Sequence, residues 1–347
     1  DSLRGSNFGR GQALFGDAGN DTLVAGGVDY QLLEGGDGAD SLQASYGEHQ
    51  RLHGGAGNDT LVGGGGFNQD LYGGDGDDRL QAGTSASATL VGGAGNDLLI
   101  AGSGRGQGLT GQDGNDTLVA GQGTDQFLWG GNGDDSLLGG RGTFQSLYGD
   151  VGNDTLVAGS SIQALFGGDG NDSLTGGLGS DTLSGDEPDS PFDLSAKIGD
   201  DTMSGGAGKD SMSGGAGNDI MSGGAGNDSM SGGAGNDNLT GGAGLDQFVF
   251  STALGLGNVD VIEDYSVTDD TIRLDDTVFT TLRIGALSAG AFATGASATD
   301  ADDRIIFNAS TGALLYDADG SGAGLAIQFA TLSGLTGTLT AEDFIII

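Results

Sequence analysis

The sequence predicts an all-β protein: a parallel β-solenoid of 19-residue and then 9-residue repeats, followed by a C-terminal β-domain. Three observations carry that reading. Glycine supplies 76 of the 347 residues, yet it does not recur every third position and only 2 prolines are present, so a collagen helix is excluded. A Gly-x-x-Gly-x-Asp segment recurs with its first Gly at 16, 35, 54, 73, 92, 111, 130, 149 and 167, at steps of 19 seven times and 18 once. Two leucines keep fixed places in each period, which is the mark of stacked units that bury an apolar face only against one another.

The elements follow in chain order. Residue eight of each unit is Leu23, Leu42, Leu61, Leu80, Leu99, Leu118, Leu137, Leu156 and Leu174. A second ladder stands two residues before each unit, at Leu14, Leu33, Leu52, Leu71, Leu90, Leu109, Leu128, Leu147 and Leu165. Each coil therefore has two short strands, each pointing one Leu inward, joined by two turns. From 167 the period shortens to nine, with GGDGNDSLT and then GGLGSDTLS at 176–184. GDEPDSPFDLS at 185–195 holds both prolines and interrupts the series, which resumes at 196 and runs to 249 with Met203, Met212, Met221 and Met230 at residue eight. Beyond 249 glycine falls to 11 of 98 residues, and QFVF, VDVIEDY, DTIRL, RIIF, ALLYD and LAIQFATL read as strands. The expected organisation is a 19-residue-coil solenoid over 1–184, an insert loop at 185–195, a nonapeptide roll over 196–249 and a β cap over 250–347. Asp1-Ser2-Leu3 matches the end of such a turn, so the chain is expected to begin inside a repeat.

Net charge is -38, and 44 of the 49 acidic residues are Asp. Such a surface repels phosphate, which argues against nucleic acid and anionic membranes as partners. Cysteine is absent, so thiolate metal sites are excluded. No run approaches the roughly 20 apolar residues of a membrane helix, and no N-terminal signal peptide is evident. Short carboxylates held in glycine turns point to cations as the counter-charge.

The nonapeptides GGAGNDTLV at 54–62 and GGAGNDSMS at 223–231 resemble the repeat-in-toxin (RTX), or hemolysin-type, calcium-binding motif GGxGxDxUx, with U apolar. The likeness spans 16 to 249. It implies a parallel β-roll in which calcium lies between turns stacked on the same side. The residue types suit that role, because glycine permits positive φ and exposes carbonyls while Asp is a short, hard oxygen ligand. The metal-ligand candidates on the 19-residue row are Asp21, Asp40, Asp59, Asp78, Asp97, Asp116, Asp135, Asp154 and Asp172. In the nine-residue region they are Asp181, Asp201, Asp210, Asp219, Asp228, Asp237 and Asp246. Roughly a dozen calcium ions would supply about +24 against the formal charge. The alternative, solvated acidic turns without metal, would stack bare carboxylates about 4.8 Å apart.

The opposite edge of the 19-residue coils differs. Where a nonapeptide carries its Asp stand Gln12, Gln31, Gln50, Gln69, Ala88, Gln107, Gln126, Gln145 and Gln163. An amide both donates and accepts, so stacked glutamines bond one another with no net charge. Calcium is expected on one edge from 16 to about 166 and on both edges from about 167 to 249.

The single-row period also resembles calcium-dependent ice-binding solenoids of bacterial adhesins. Those carry Thr in the turn, whereas the third turn position here is Ala18, Asp37, Ala56, Asp75, Ala94, Asp113, Asn132, Val151 and Asp169. His49 and His53 form HQRLH, which lacks the Glu of a helical zinc motif and is expected on a strand with both imidazoles outward. Phe15, Tyr72, Trp129, Tyr148 and Phe166 share one outward position, a candidate contact face for self-association, as is end-to-end stacking of open coils. Asp317-Ala318-Asp319-Gly320 looks like the start of an EF-hand, but Gln328 stands at its twelfth position and a hairpin turn is favoured. FVFSTALGLGNVDVIEDYS and Ala341-Glu342-Asp343-Phe344-Ile345-Ile346-Ile347 resemble the C-terminal region of RTX proteins that are handled by type I secretion machinery.

Two function classes follow. The first is a secreted, extracellular or cell-surface calcium-binding structural protein (adhesin, surface-layer or filament component) that is not an enzyme and folds on meeting calcium. The second is the secretion and folding module of a larger enzyme of the protease, lipase or alginate-epimerase type, with ice binding below both.

Overall fold

A computed structural model describes residues 1–7, 11–84, 86–186 and 199–347. The central part of the predicted insert, from 187, lies outside the described residues. The chain forms two compact units, Asp1–Ser173 and Leu174–Ile347.

In the first unit each coil contributes one long and one short strand, as in Gln31–Asp37 with Ser41–Gln43 and Gln50–Ala56 with Thr60–Val62. All of these strands pair in parallel with their counterparts one coil away. The register places Leu33 beside Leu52 and Leu52 beside Leu71 in one sheet, and Leu23 beside Leu42 and Leu42 beside Leu61 in the other. From Leu23 and Leu33 onward the ladder leucines are 0% exposed through Leu156 and Leu165. Each fully buried Leu stabilises its coil by roughly 1.5–3 kcal/mol, and none is buried until the next coil covers it. The long strands are longer than the sequence suggested, because they run from the Gln through the first glycines of the turn.

The turn that leads into the glutamine edge has, in most coils, a feature with no counterpart in the sequence pattern. Tyr30, His49, Asn68, Ser87, Asp125 and Phe144 all hold positive φ, between 52° and 59°. Left-handed backbone is uncommon for non-glycine residues and rare for aromatics, so the stacked neighbours over-determine it. His49 therefore lies in a turn, and the expectation that it sits on the strand with His53 is corrected.

In the second unit successive nonapeptides alternate between two parallel sheets. Thr202–Ala207 pairs with Ile220–Ala225 and that strand with Asn238–Ala243, while Ser211–Ala216 pairs with Ser229–Ala234. One apolar column runs Leu183, Met212, Met230, Phe248, Ile272 and Phe344 in register. The strands Gln247–Phe250, Asp260–Ile262, Thr271–Leu274 and Phe344–Ile346 thus extend the roll's own sheets beyond residue 249. Around them an antiparallel meander, Ile305–Asn308, Ala313–Tyr316 and Ile327–Leu332, encloses Phe250, Phe279, Tyr316 and Phe329 in edge-to-face contact. Asp317–Gly324 lies in the turn joining the last two of these strands, as the hairpin reading expected. Among the described residues no helix is long and apolar enough to cross a membrane.

Candidate metal centre

The turn glycines answer to space at every position and to conformation at the second and fourth. The first glycine of each turn is required by space: a Cβ on Gly111 would lie 2.0 Å from Asp116 Oδ2 and 2.5 Å from the Gly130 carbonyl oxygen. At Gly54 the same atom would meet Asp59 Oδ2 at 2.2 Å and the Gly73 carbonyl at 2.6 Å. The second and fourth positions add positive φ, 111° at Gly36 and 134° at Gly38, to the same crowding, since a Cβ there would lie 1.9 Å from the Asp17 carbonyl oxygen and 2.2 Å from that of Gly19. The first glycine thus leaves room for a pair of oxygens, a carboxylate of its own turn and a carbonyl of the next.

All sixteen predicted aspartates turn inward and are 1–3% exposed. In the first unit they form one row. Asp21 N–H donates to Asp40 Oδ1, Asp40 to Asp59, and so on to Asp154 and Asp172, at 2.6–2.7 Å. In the second unit there are two rows. Asp181 donates to Asp210, Asp210 to Asp228 and Asp228 to Asp246 at 2.7–2.9 Å. Asp201 donates to Asp219 and Asp219 to Asp237 at 2.8 and 2.9 Å.

One carboxylate oxygen is thereby satisfied. The other is not: Oδ2 of Asp21, Asp40, Asp59, Asp78, Asp97, Asp116, Asp135, Asp154, Asp210, Asp219, Asp228, Asp237 and Asp246 is buried and meets no donor. An orphaned buried carboxylate oxygen is costly unless a proton or a cation joins it. Burial, opposed by the accepted backbone N–H, pushes Asp59, Asp97 and Asp154 up to about 6, and Asp78, Asp116 and Asp135 up to about 7. Asp219 rises to about 8 for the same reason, and Asp210, Asp228, Asp237 and Asp246 also move up.

Among the described residues no three acidic or histidine side chains converge on one point. Main-chain carbonyls therefore have to complete any ligand shell. A set of carboxylate and carbonyl oxygens without nitrogen or sulfur suits a hard cation of flexible coordination, which is the chemistry of calcium and not of zinc.

On the opposite edge of the first unit Gln31, Gln50, Gln69, Gln107, Gln126, Gln145 and Gln163 are 0–2% exposed. Gln126 shows the pattern. Its Oε1 accepts Gly121 N–H at 2.8 Å, while its Nε2 donates to Gln107 Oε1 at 3.2 Å and to the Gly102 and Gly104 carbonyls at 3.3 and 3.4 Å. Gln145 repeats it against Gln126, Gly121 and Gly123. The amide NH2 faces inward carbonyls with its own positive end. Ala88, 1% exposed, is the gap in this ladder.

Two residues that the sequence reading missed continue the rows of the second unit. Asp237 N–H donates to Asp260 Oδ1, and Asp246 N–H to Asp270 Oδ1, each at 3.1 Å. The available signal was the Asp-x-apolar spacing of Asp260 to Ile262 and Asp270 to Ile272, which survives although most turn glycines are gone.

The outward file holds Phe15, His53, Tyr72, Trp129, Tyr148 and Phe166. Stacked pairs are His53–Tyr72, Trp129–Tyr148 and Tyr148–Phe166, with centroids 4.7, 5.9 and 4.9 Å apart. His49 stacks on Tyr30 instead, so the two histidines have separate partners. Partial burial lowers the His53 pKa.

The model of the RTX calcium-binding nonapeptide repeat matches residues 13–32, 51–70, 64–86, 82–105, 110–143, 146–162, 162–187, 195–230 and 213–248, more than half of the chain. Comparison with curated proteins finds no match.

Proposed function

Because the chain belongs to the family of RTX calcium-binding nonapeptide-repeat proteins, we propose that it is a non-catalytic extracellular scaffold that folds as calcium fills its aspartate rows. The observation that carries this reading is the set of buried Oδ2 atoms without donors, repeated at the same place in turn after turn. The residues that would hold the ions are the sixteen motif aspartates, with carbonyl oxygens of neighbouring turns completing each shell. When bound, calcium supplies the positive charge that the rows lack. The protein's own part is to fix each carboxylate through one backbone N–H, keep water from it, and leave room for the ion with a first glycine.

In a calcium-poor cell interior the rows repel and the chain stays open. Outside, millimolar calcium turns binding free energy into folding free energy. That cycle supports export by type I machinery. In the folded state Phe344 and Ile346 of the proposed signal are 0% and 1% exposed, so the segment is readable only while the cap is open. The stacked aromatic file supports a contact face for adhesion or self-association.

Far-UV circular dichroism with calcium counting by mass spectrometry tests the reading. Strand signal that develops only as roughly a dozen ions bind is expected. A chain equally folded in EGTA and in calcium overturns it. Electron micrographs at both conditions separate filament or sheet formation from a solitary module.

A further inference from the structure

We propose that Asp260 is a calcium ligand and that, with Asp237, it closes an additional site at the joint between the last coils and the C-terminal cap. The inference rests on calcium filling the aspartate rows, and it extends them to a residue outside every GGxGxD motif.

Four observations place Asp260 in the row. The backbone N–H of Asp237 donates to its Oδ1 at 3.1 Å, as Asp201 does to Asp219 and Asp219 to Asp237. The preceding turn position joins the same coils in the reverse sense: Asn236 N–H donates to Asn218 Oδ1 at 3.0 Å, and Val259 N–H donates to Asn236 Oδ1 at 3.1 Å. Strand register sets Val261 beside Asn238 and Ile262 beside Leu239, so Ile262, 0% exposed, fills the place of the apolar eighth residue. Gly255 and Asp260 then fall at positions one and six of a degenerate repeat, Gly255-Leu256-Gly257-Asn258-Val259-Asp260-Val261-Ile262. Asn258 Oδ1 takes the Gly235 N–H at 3.4 Å, the place of the position-three carbonyl that accepts Gly217 N–H (from Ala234) and Gly226 N–H (from Ala243) in the regular turns.

The chemistry then selects a cation. Asp237 and Asp260 are 1% and 4% exposed, Asp237 Oδ2 meets no donor, and the two carboxyl groups lie within hydrogen-bonding reach of each other. Two acceptors facing each other in a buried place need a proton or a cation between them, and the calcium proposed to fill the rows supplies the latter. The other row ends differently. Asp270 accepts Asp246 N–H on Oδ1 and Ser266 N–H on Oδ2 at 2.9 Å, so both of its oxygens already take main-chain donors.

The location gives the site a role. Asp260–Ile262 pairs with Asn238–Ala243 on one side and with Ile327–Leu332 of the cap meander on the other. An ion held by Asp237 and Asp260 fastens that middle strand to the roll, and through it the meander.

Crystals of the full chain grown in calcium test the assignment without a mutation. An anomalous peak between the Asp237 and Asp260 carboxylates is expected; peaks elsewhere along the rows but none there overturn it. In solution, Asp260→Asn is expected to bind one calcium fewer per chain than wild type at saturation. It should also need more calcium to protect amides 260–262 and 327–332 from hydrogen exchange. An unchanged count with unchanged protection overturns this site alone, whereas a wild-type chain that takes up no calcium overturns the parent reading as well.

Discussion

The two edges of the first unit place nearly the same side chain in nearly the same setting and reach opposite solutions. Asp116 on one edge and Gln126 on the other are each 0–1% exposed, and each uses one oxygen to accept a backbone N–H. They part at the second terminal atom. Gln126 Nε2 donates to two carbonyls and to Gln107, while Asp116 Oδ2 meets no donor. A glutamine brings its own positive end to the carbonyls, and an aspartate requires one from outside. On the proposed reading calcium dependence is a property of an edge, and the second unit, with an aspartate row on each side, would have no self-sufficient edge.

The largest expected effect tests that contrast directly. Lowering free calcium on the full chain should release amide protection in Leu174–Ile347 at a higher calcium concentration than in Asp1–Ser173, read by hydrogen exchange. Simultaneous loss in both units would break the comparison.

Exchanging the terminal atom should come next. Gln126→Glu leaves buried carbonyls facing an oxygen and should destabilise the calcium-loaded chain by about 3 kcal/mol, seen as a lower urea midpoint. Asp97→Asn makes the converse change and should act in two directions: the loaded chain loses stability, and the calcium-free chain gains it. A change of the same sign in both conditions would refute the idea that Oδ2 is where the ion is needed.

Protons offer a weaker substitute for the ion. Burial pushes Asp59, Asp97 and Asp154 up to about 6, Asp78, Asp116 and Asp135 up to about 7 and Asp219 up to about 8 from an ordinary 3.8, so at these positions the folded state binds more protons than the unfolded one. Their contribution in calcium-free solution is therefore full below about 4 and is lost as pH rises through 6 to 8. Acidifying the calcium-free chain from pH 8 to pH 5 should raise its strand signal, and a flat profile would show that the rows do not limit folding. The smallest effect is expected at Ala88→Gln, which restores the missing rung and should add about 1 kcal/mol to thermal stability. A loss there would mean that the coil has closed over the gap.

Much of this was legible because the period is fixed by turns that few residues can make. Leu33, Leu52 and Leu71, the buried aspartates, and the glutamines opposite them stand where the spacing put them. What escaped the sequence had no repeating side chain to announce it. Tyr30, His49, Asn68, Asp125 and Phe144 share a left-handed backbone but no chemistry, since their strain is imposed by the stacked coils around them. Asp260 and Asp270 follow their row partners by 23 and 24 residues instead of 18, and their turns lack most of the glycines that mark a repeat. The likeness of all turn glycines in the sequence also hid that the first is held by space alone, whereas Gly36 and Gly38 combine crowding with positive φ.

The hydrogen bonds of the first unit described above, whether strand to strand, Asp N–H to carboxylate or Gln to Gln, mostly join a coil to its neighbour and so run along the stacking direction. A tensile load along that direction falls on one interface at a time, because adjacent coils share no covalent link except a single chain crossing. Under pull the unit should yield by peeling, each 19-residue coil releasing roughly 65 Å of contour length. If calcium fills the aspartate row, it would set the force of each step on one side of the coil while the glutamine amides set it on the other. Such a unit would dissipate mechanical work in small repeated increments.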